Sequence, residues 1–145
     1  MSDDTIETGR TKAGERWPAA EQAFAEGLRI RRAMWGADGT NGQIEATTEF
    51  TWPLQDTVTR WCFGETWSRD ELDPLQRSLL TLGVLMAIGQ YEQIKVHTRG
   101  AIANGATPEQ IRDVLLHTMV YVGVPRAVDA FAAARSTLLD MGYEV

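Results

Sequence analysis

The stretch "LDPLQRSLLTLGVLMAIGQYEQIKVHTRGAIANGATPEQIRDVLLH", residues 72–117, decides the fold class. It contains one helix-start pattern twice: an N-cap residue, a proline at the first helical position, and a glutamine three residues after the cap. Asp73 and Thr107 are the two predicted caps. Between them, apolar side chains recur at helical spacing over residues 75–104, with a break expected at Gly89. The pattern predicts helices rather than strands.

Helices are also predicted on both sides of this stretch. One begins near Trp17 and ends at Gly36, and a second runs from about Thr51 to Phe63. A last helix begins at Pro125 and continues to about Met141. The predicted apolar stripes are Ala20, Phe24, Leu28, Ile30 or Arg31 and Met34 in the first helix, and Leu54, Val58, Trp61 and Cys62 in the second.

Two segments carry no helical pattern. The stretch "GADGTNGQIEAT", residues 36–47, has three glycines, an aspartate and an asparagine, which is typical of a loop. The stretch "GETWSRDEL", residues 64–72, is predicted to be a connection. Residues 1–16 are polar and charged, and we expect a flexible N-terminal arm there, followed by one all-α domain over residues 17–145.

Composition excludes several classes of function. A net charge of −6 and a pI near 4.9 argue against nucleic-acid binding, which needs a basic field. The only basic run, "RIRR" at residues 29–32, lies within an amphipathic pattern. A single cysteine, Cys62, excludes an internal disulfide. The N-terminus has no secretory apolar segment, and the apolar run 79–88 is too short to span a bilayer, so we expect a cytoplasmic protein without membrane contact.

The two histidines are the main candidates for acid–base chemistry. Gln93 lies four residues before His97, on the same helix face, and Glu92 lies five residues before it. An imidazole held by an amide or a carboxylate can transfer a proton near neutral pH. Spacing alone nevertheless favours a hydrogen-bonded helix histidine without a catalytic role. His117 lies in a strongly apolar helix and is expected to pack in the core or at an interface.

Other residue patterns are less specific. Arg77 begins the helix "RSLLTLGVLMAIG", where it could hold a substrate carboxylate or, more commonly, form a structural ion pair. Trp67 and three other tryptophans, Trp35, Trp52 and Trp61, are explained most simply by packing. No motif predicts a metal site, an activated nucleophile, a phosphate loop or a dinucleotide site, so no cofactor is expected.

The ordered pieces "GETWSR", "LDPLQRSLL", "HTRGAIANGATPEQIRDVLLH" and "YVGVP" resemble the carboxymuconolactone decarboxylase family, over about residues 24–138. The resemblance implies an alkylhydroperoxidase-D-like bundle of about six helices, assembled as a homo-oligomer, a trimer or a hexamer. The peroxidase branch of that superfamily has a Cys-x-x-Cys pair that ends four residues before the histidine matching His97. Here Gln90 and Gln93 occupy those positions, so no thiolate can attack a peroxide.

The remaining branch implies a lyase of aromatic-acid catabolism. It converts 4-carboxymuconolactone, or a similar carboxylated lactone, to the β-ketoadipate enol-lactone and CO2 without metal or organic cofactor. Carried over, the resemblance makes His97 the hydrogen-bond donor and proton-transfer group, with Glu92 as its catalytic partner. Arg77, Gln93 and Trp67 are assigned to substrate binding, Arg77 as the carboxylate clamp.

One departure from the family pattern concerns the partner of His97. Family members commonly carry glutamate four residues before the histidine, where this chain has Gln93, and the carboxylate is displaced to Glu92. An amide can orient an imidazole but cannot accept a proton from it. Two alternatives therefore stay open: a cofactorless lactone isomerase, hydratase or other tailoring enzyme on the same fold, and a non-catalytic oligomeric binding protein.

Overall fold

The computed structural model describes residues 18–145, so the predicted arm and Trp17 lie outside the described residues. The chain forms two compact units, which comprise residues 18–71 and 72–145 of the described part. The all-α prediction is confirmed, because the described residues contain seven α-helices, one continued by a π-helix, and no strand. The helices are α1 (Pro18–Trp35), α2 (Ala37–Glu45), α3 (Trp52–Thr57) with its π-helix (Val58–Trp67), α4 (Pro74–Ala87), α5 (Tyr91–Ala103), α6 (Pro108–Val122) and α7 (Val124–Asp140).

In the first unit, α1 packs against the π-helix so closely that the two backbones are in contact. A Cβ atom at Gly27 would overlap the carbonyl oxygen of Thr59, and one at Gly64 would overlap the carbonyl oxygen of Ala23. Only glycine permits this approach at either position, because any side chain would push the two helices apart. The predicted stripe of α1 is confirmed for its described side chains, since Phe24, Leu28, Ile30, Arg31 and Met34 are all buried.

The loop predicted over residues 36–47 is wrong, because residues 37–45 form α2. Thr40 and Ile44 are buried from this helix, and Ile44 packs with Phe24 and Leu28. Burying an isoleucine contributes on the order of 1.5–3 kcal/mol, which offsets the roughly 1 kcal/mol cost of each of the two helical glycines, Gly39 and Gly42. Tertiary packing therefore overrides the local propensity of this segment.

The second predicted helix has the right start, and half of its predicted apolar stripe is confirmed, because Val58 and Cys62 are partly buried and pack against the core cluster of Phe63. The other half of the stripe is wrong. Leu54 and Trp61 are 64% and 59% exposed, whereas Thr59 and Phe63 are buried. The π-helix also extends to Trp67, so residues 64–67 are helical rather than part of a connection. The wider turn of a π-helix rotates later residues away from a 3.6-residue register, which explains why Trp61 lies outside the buried face.

The second unit follows the sequence prediction closely. Asp73 Oδ1 accepts a hydrogen bond from the Gln76 amide at 2.7 Å, and Gln76 Oε1 accepts one from the Asp73 amide at 2.9 Å. Thr107 and Gln110 form the same capping box at the start of α6. Gly89 lies between α4 and α5 and has a φ of 74°, a conformation that favours glycine. The core side chains are Leu82, Met86, Ile94, Ala101, Ala106, Ile111, Leu115, Ala127, Ala130, Ala133, Ala134 and Leu138.

Candidate functional site

Helix α5 carries the predicted catalyst on the edge of its buried face. Ile94, Thr98 and Ala101 point into the core, and His97 flanks them with a partly buried ring. The Nδ1 atom of His97 is shielded from solvent. Burial lowers the pKa of His97 from 6.5 to about 4, because a desolvated imidazolium is disfavoured. The imidazole is therefore neutral at physiological pH and can donate a hydrogen bond without carrying charge.

The predicted partner of His97 is directed towards solvent. Glu92 lies in the first turn of α5, where its side chain is 82% exposed. Its Oε1 accepts a hydrogen bond from Lys95 Nζ at 2.6 Å. Gln93 is exposed as well. Within this chain, the carboxylate of Glu92 thus pairs with Lys95 and not with His97, its predicted partner.

The other two predicted binding residues belong to different units. Arg77 lies in the first turn of α4, is partly buried, and donates from Nε to the carbonyl oxygen of Leu72 at 3.1 Å. Trp67 ends the π-helix of the first unit, where its ring packs against Phe63 with centroids 5.5 Å apart. The second unit therefore holds His97, Glu92, Gln93 and Arg77, and the first holds Trp67. The roles assigned to all five residues stay predictions.

An open groove of about 650 Å³ runs between α4 and α6. His117 lies on this groove and is exposed, with its ring centroid 5.2 Å from that of Tyr121. The core position considered for His117 is therefore wrong, and the interface position stays a prediction. The signal was present in the sequence, because Gln110, Asp113 and His117 recur at helical spacing on one face of α6. The groove is lined by Leu79, Leu80, Gly83, Val84, Ala87, Gln110, Asp113, Val114, His117 and Thr118.

Large apolar side chains are exposed on α4, which lines this groove, and at the junction of α6 and α7. Leu80, Val84 and Ile88 follow one another at four-residue spacing along α4, and each is 51–59% exposed. More exposed apolar residues occur at the end of α6 and the start of α7: Val120, Tyr121, Val124 and Val128, each 61–76% exposed. Such clustering is unusual for a monomer surface and is typical of an interaction site.

The described residues offer little to a metal ion or a thiol mechanism. No group of three or more His, Cys, Asp or Glu side chains converges as a metal site within residues 18–145. Burial raises the pKa of the Cys62 thiol, which disfavours the thiolate. No helix in the described part is long and apolar enough to cross a membrane.

Comparison with known proteins places these features in a family. The model of the carboxymuconolactone decarboxylase family matches residues 53–136, more than half of the chain. A nitrosuccinic acid decarboxylase of Metarhizium robertsii is 39% identical over 118 residues, 81% of this chain and 82% of that protein. A 4-carboxymuconolactone decarboxylase of Acinetobacter baylyi is 32% identical over 122 residues, 84% of this chain and 91% of that protein. The chain belongs to the carboxymuconolactone decarboxylase family.

Proposed function

We propose that this protein is a cytoplasmic, cofactor-independent decarboxylase of small dicarboxylic acids. The first candidate substrate is 4-carboxymuconolactone or a similar carboxylated lactone, converted to the β-ketoadipate enol-lactone and CO2 in aromatic-acid catabolism. The observation that carries the proposal is that two relatives named as decarboxylases each match more than four fifths of the chain. The neutral, partly buried His97 supplies a group suited to that chemistry.

A nitrosuccinic acid is the second candidate substrate, favoured by the 39% identity to the fungal decarboxylase. The two acids share their essential chemistry. In the lactone, electrons released with CO2 flow through a double bond into the lactone carbonyl. In a nitrosuccinic acid, they flow into the nitro group beside the departing carboxylate. In both, an oxygen becomes negative, a carbon needs a proton, and a second carboxylate stays on the product.

His97 fits the developing oxyanion as a neutral hydrogen-bond donor. A donor aimed at charge that appears only in the transition state lowers the barrier by about 3–4 kcal/mol in a water-poor site. A bound dianion also raises the pKa of a nearby imidazole, because it favours the charged form. His97 would then take up a proton with substrate and deliver it to the product carbon.

The remaining assignments follow from charge and position. Arg77 is proposed as the clamp for the retained carboxylate, because a guanidinium binds carboxylate oxygens in pairs. Gln93 and Trp67 are proposed to contact the substrate, as amide donor and as apolar wall. Glu92 can assist His97 only if it first leaves Lys95, which makes it the weaker of the two proposed catalysts.

We further propose that the protein works as a homo-oligomer, a trimer or a hexamer. The exposed apolar residues of α4, of the end of α6 and of the start of α7 give a second copy an apolar surface to bury. Three of them, Leu80, Val84 and Ile88, lie on one side of α4, so a partner could cover them together. Their desolvation would contribute roughly 25 cal/mol for each Å² removed from water.

A parallel assay of the two acids tests the activity. Purified protein is incubated with 4-carboxymuconolactone or with nitrosuccinic acid, and CO2 release and ultraviolet absorbance are followed. CO2 release from either acid supports a decarboxylase. The acid that reacts shows whether a lactone carbonyl or a nitro group takes up the electrons released with CO2. Conversion of a lactone without CO2 would support the isomerase or hydratase alternative. Saturable binding without conversion would support the binding protein.

A further inference from the structure

Arg31 is a buried cation on the inner face of α1, in the first unit. Only 3% of the residue is exposed. Its Nη1 donates to Gln55 Oε1 at 3.0 Å and to Thr59 Oγ1 at 2.6 Å. Its Nη2 donates to Gln43 Oε1 at 2.7 Å. These acceptors come from α2, α3 and the π-helix, so the guanidinium is fixed from several sides, and every acceptor is neutral.

Unlike Arg29 and Arg60, Arg31 has no anion beside it among the described residues. Arg29 is exposed and pairs with Glu26, and Arg60 Nη2 lies 3.0 Å from Asp56 Oδ2. Arg31 makes no such pair with any residue of 18–145. Burial lowers the pKa of Arg31, but an arginine stays protonated in proteins. A buried charge without an anion is costly, so this one is poised for a negative ligand.

One edge of the guanidinium also has a hydrogen-bond donor without an acceptor among the described residues. Nε of Arg31 is buried and has no hydrogen-bond acceptor among the described residues. Nε and Nη2 together form the side-on fork that matches the two oxygens of a carboxylate. Nη2 is held by Gln43, which is exposed to solvent, so the released amide could hydrogen-bond to water instead. Displacement of this one amide would give an anion both donors of the fork.

We propose that Arg31 is a binding site for the carboxylate of a small organic acid, which displaces the Gln43 amide and bonds to Nε and Nη2. One carboxylate would satisfy the orphaned Nε and neutralise the charge at the same time. The site goes beyond the proposed decarboxylation and stands whether or not the ligand is converted. The competing explanation is that Arg31 only links α1 to α2 and α3.

Gln43→Glu tests whether the charge of Arg31 is uncompensated. A glutamate at this position places a permanent carboxylate on the fork, so we expect Tm to rise by about 3–10 °C. Gln22→Glu is the control, because it adds the same charge at an exposed position of α1. A Tm for Gln43→Glu no higher than that of the control would overturn the proposal.

Succinate binding tests whether an external carboxylate uses the same edge. In the wild-type protein, succinate should shift the NMR signal of the Arg31 Nε–H group saturably, whereas neutral succinamide should not. Calorimetry should show succinate affinity lost at least about tenfold in Arg31→Gln and in Gln43→Glu, and kept in Gln22→Glu. An unmoved Nε–H signal at saturating succinate, or undiminished binding by folded Arg31→Gln, would overturn the site. Neither measurement depends on decarboxylase turnover.

Discussion

The two histidines of the second unit lie in opposite environments. His97 is partly buried on the edge of the α5 core face, and its pKa falls to about 4. His117 is exposed on an apolar groove between α4 and α6, one turn from Tyr121. Both lie within helices, yet burial keeps the imidazole of His97 neutral, whereas exposure leaves His117 available for contact with another molecule. The contrast separates a candidate for catalysis from a candidate for assembly.

Replacing each histidine by asparagine gives the largest expected effect on this contrast. We expect His97→Asn to lower kcat by about 10²–10⁴-fold, because general acid–base groups contribute that much. His117→Asn should change kcat by less than about threefold, provided that the oligomer stays intact. The measurement is steady-state decarboxylation, with circular dichroism as the check on folding. Equal losses in both variants would assign chemistry to the groove as well.

A charge in the apolar surface tests assembly. Val120 is 76% exposed at the end of α6, so Val120→Asp leaves the core of the chain unchanged. We expect it to dissociate the oligomer, because a buried unpaired carboxylate costs several kcal/mol. Sedimentation or light scattering gives the mass, and Leu139→Asp on α7 is the control at another exposed apolar position. A monomeric wild type would contradict the assembly proposal directly.

The pH dependence of stability tests the burial of His97. Its folded pKa of about 4 lies below the unfolded value of 6.5, so the unfolded chain binds more protons between these pH values. Stability should therefore be lost as pH falls from about 6.5 to 4, by at most about 3 kcal/mol from this residue. Urea unfolding at several pH values over that range gives the free energy of unfolding of the wild type and of His97→Asn. This free energy should fall more steeply with decreasing pH in the wild type. An equal pH dependence in the two proteins would mean that His97 is solvated.

Glu92→Gln should have the smallest effect. Its carboxylate is exposed and held by Lys95, so we expect kcat to fall by no more than about threefold and stability to change by less than about 0.5 kcal/mol. Lys95→Gln, which frees the carboxylate, is the matched variant. A loss in Glu92→Gln that approaches that of His97→Asn would restore Glu92 as the catalytic partner.

Features that depend only on residues close together in the chain were predicted from the sequence. Asp73, Thr107 and Gly89 act through their own backbone neighbours, so the starts of α4 and α6 and the break before α5 were predicted correctly. Segment 36–47 was not, because Ile44 is stabilised by Phe24 and Leu28, which no local rule includes. The π-helix was not predicted for the same reason, because Gly64 lies in it to permit close backbone contact with α1, which is distant in the sequence.

The sequence by itself determined the helical class and the starts of α4 and α6, and its resemblance to a family made His97 the candidate catalyst. Only the tertiary structure decided how each charged or titratable group is solvated. It buried the ring of His97, left His117 on an open groove, and surrounded the guanidinium of Arg31 with neutral acceptors from α2, α3 and the π-helix. The physical reason is that a side chain's spacing is fixed by its own helix, whereas desolvation depends on atoms contributed by other helices.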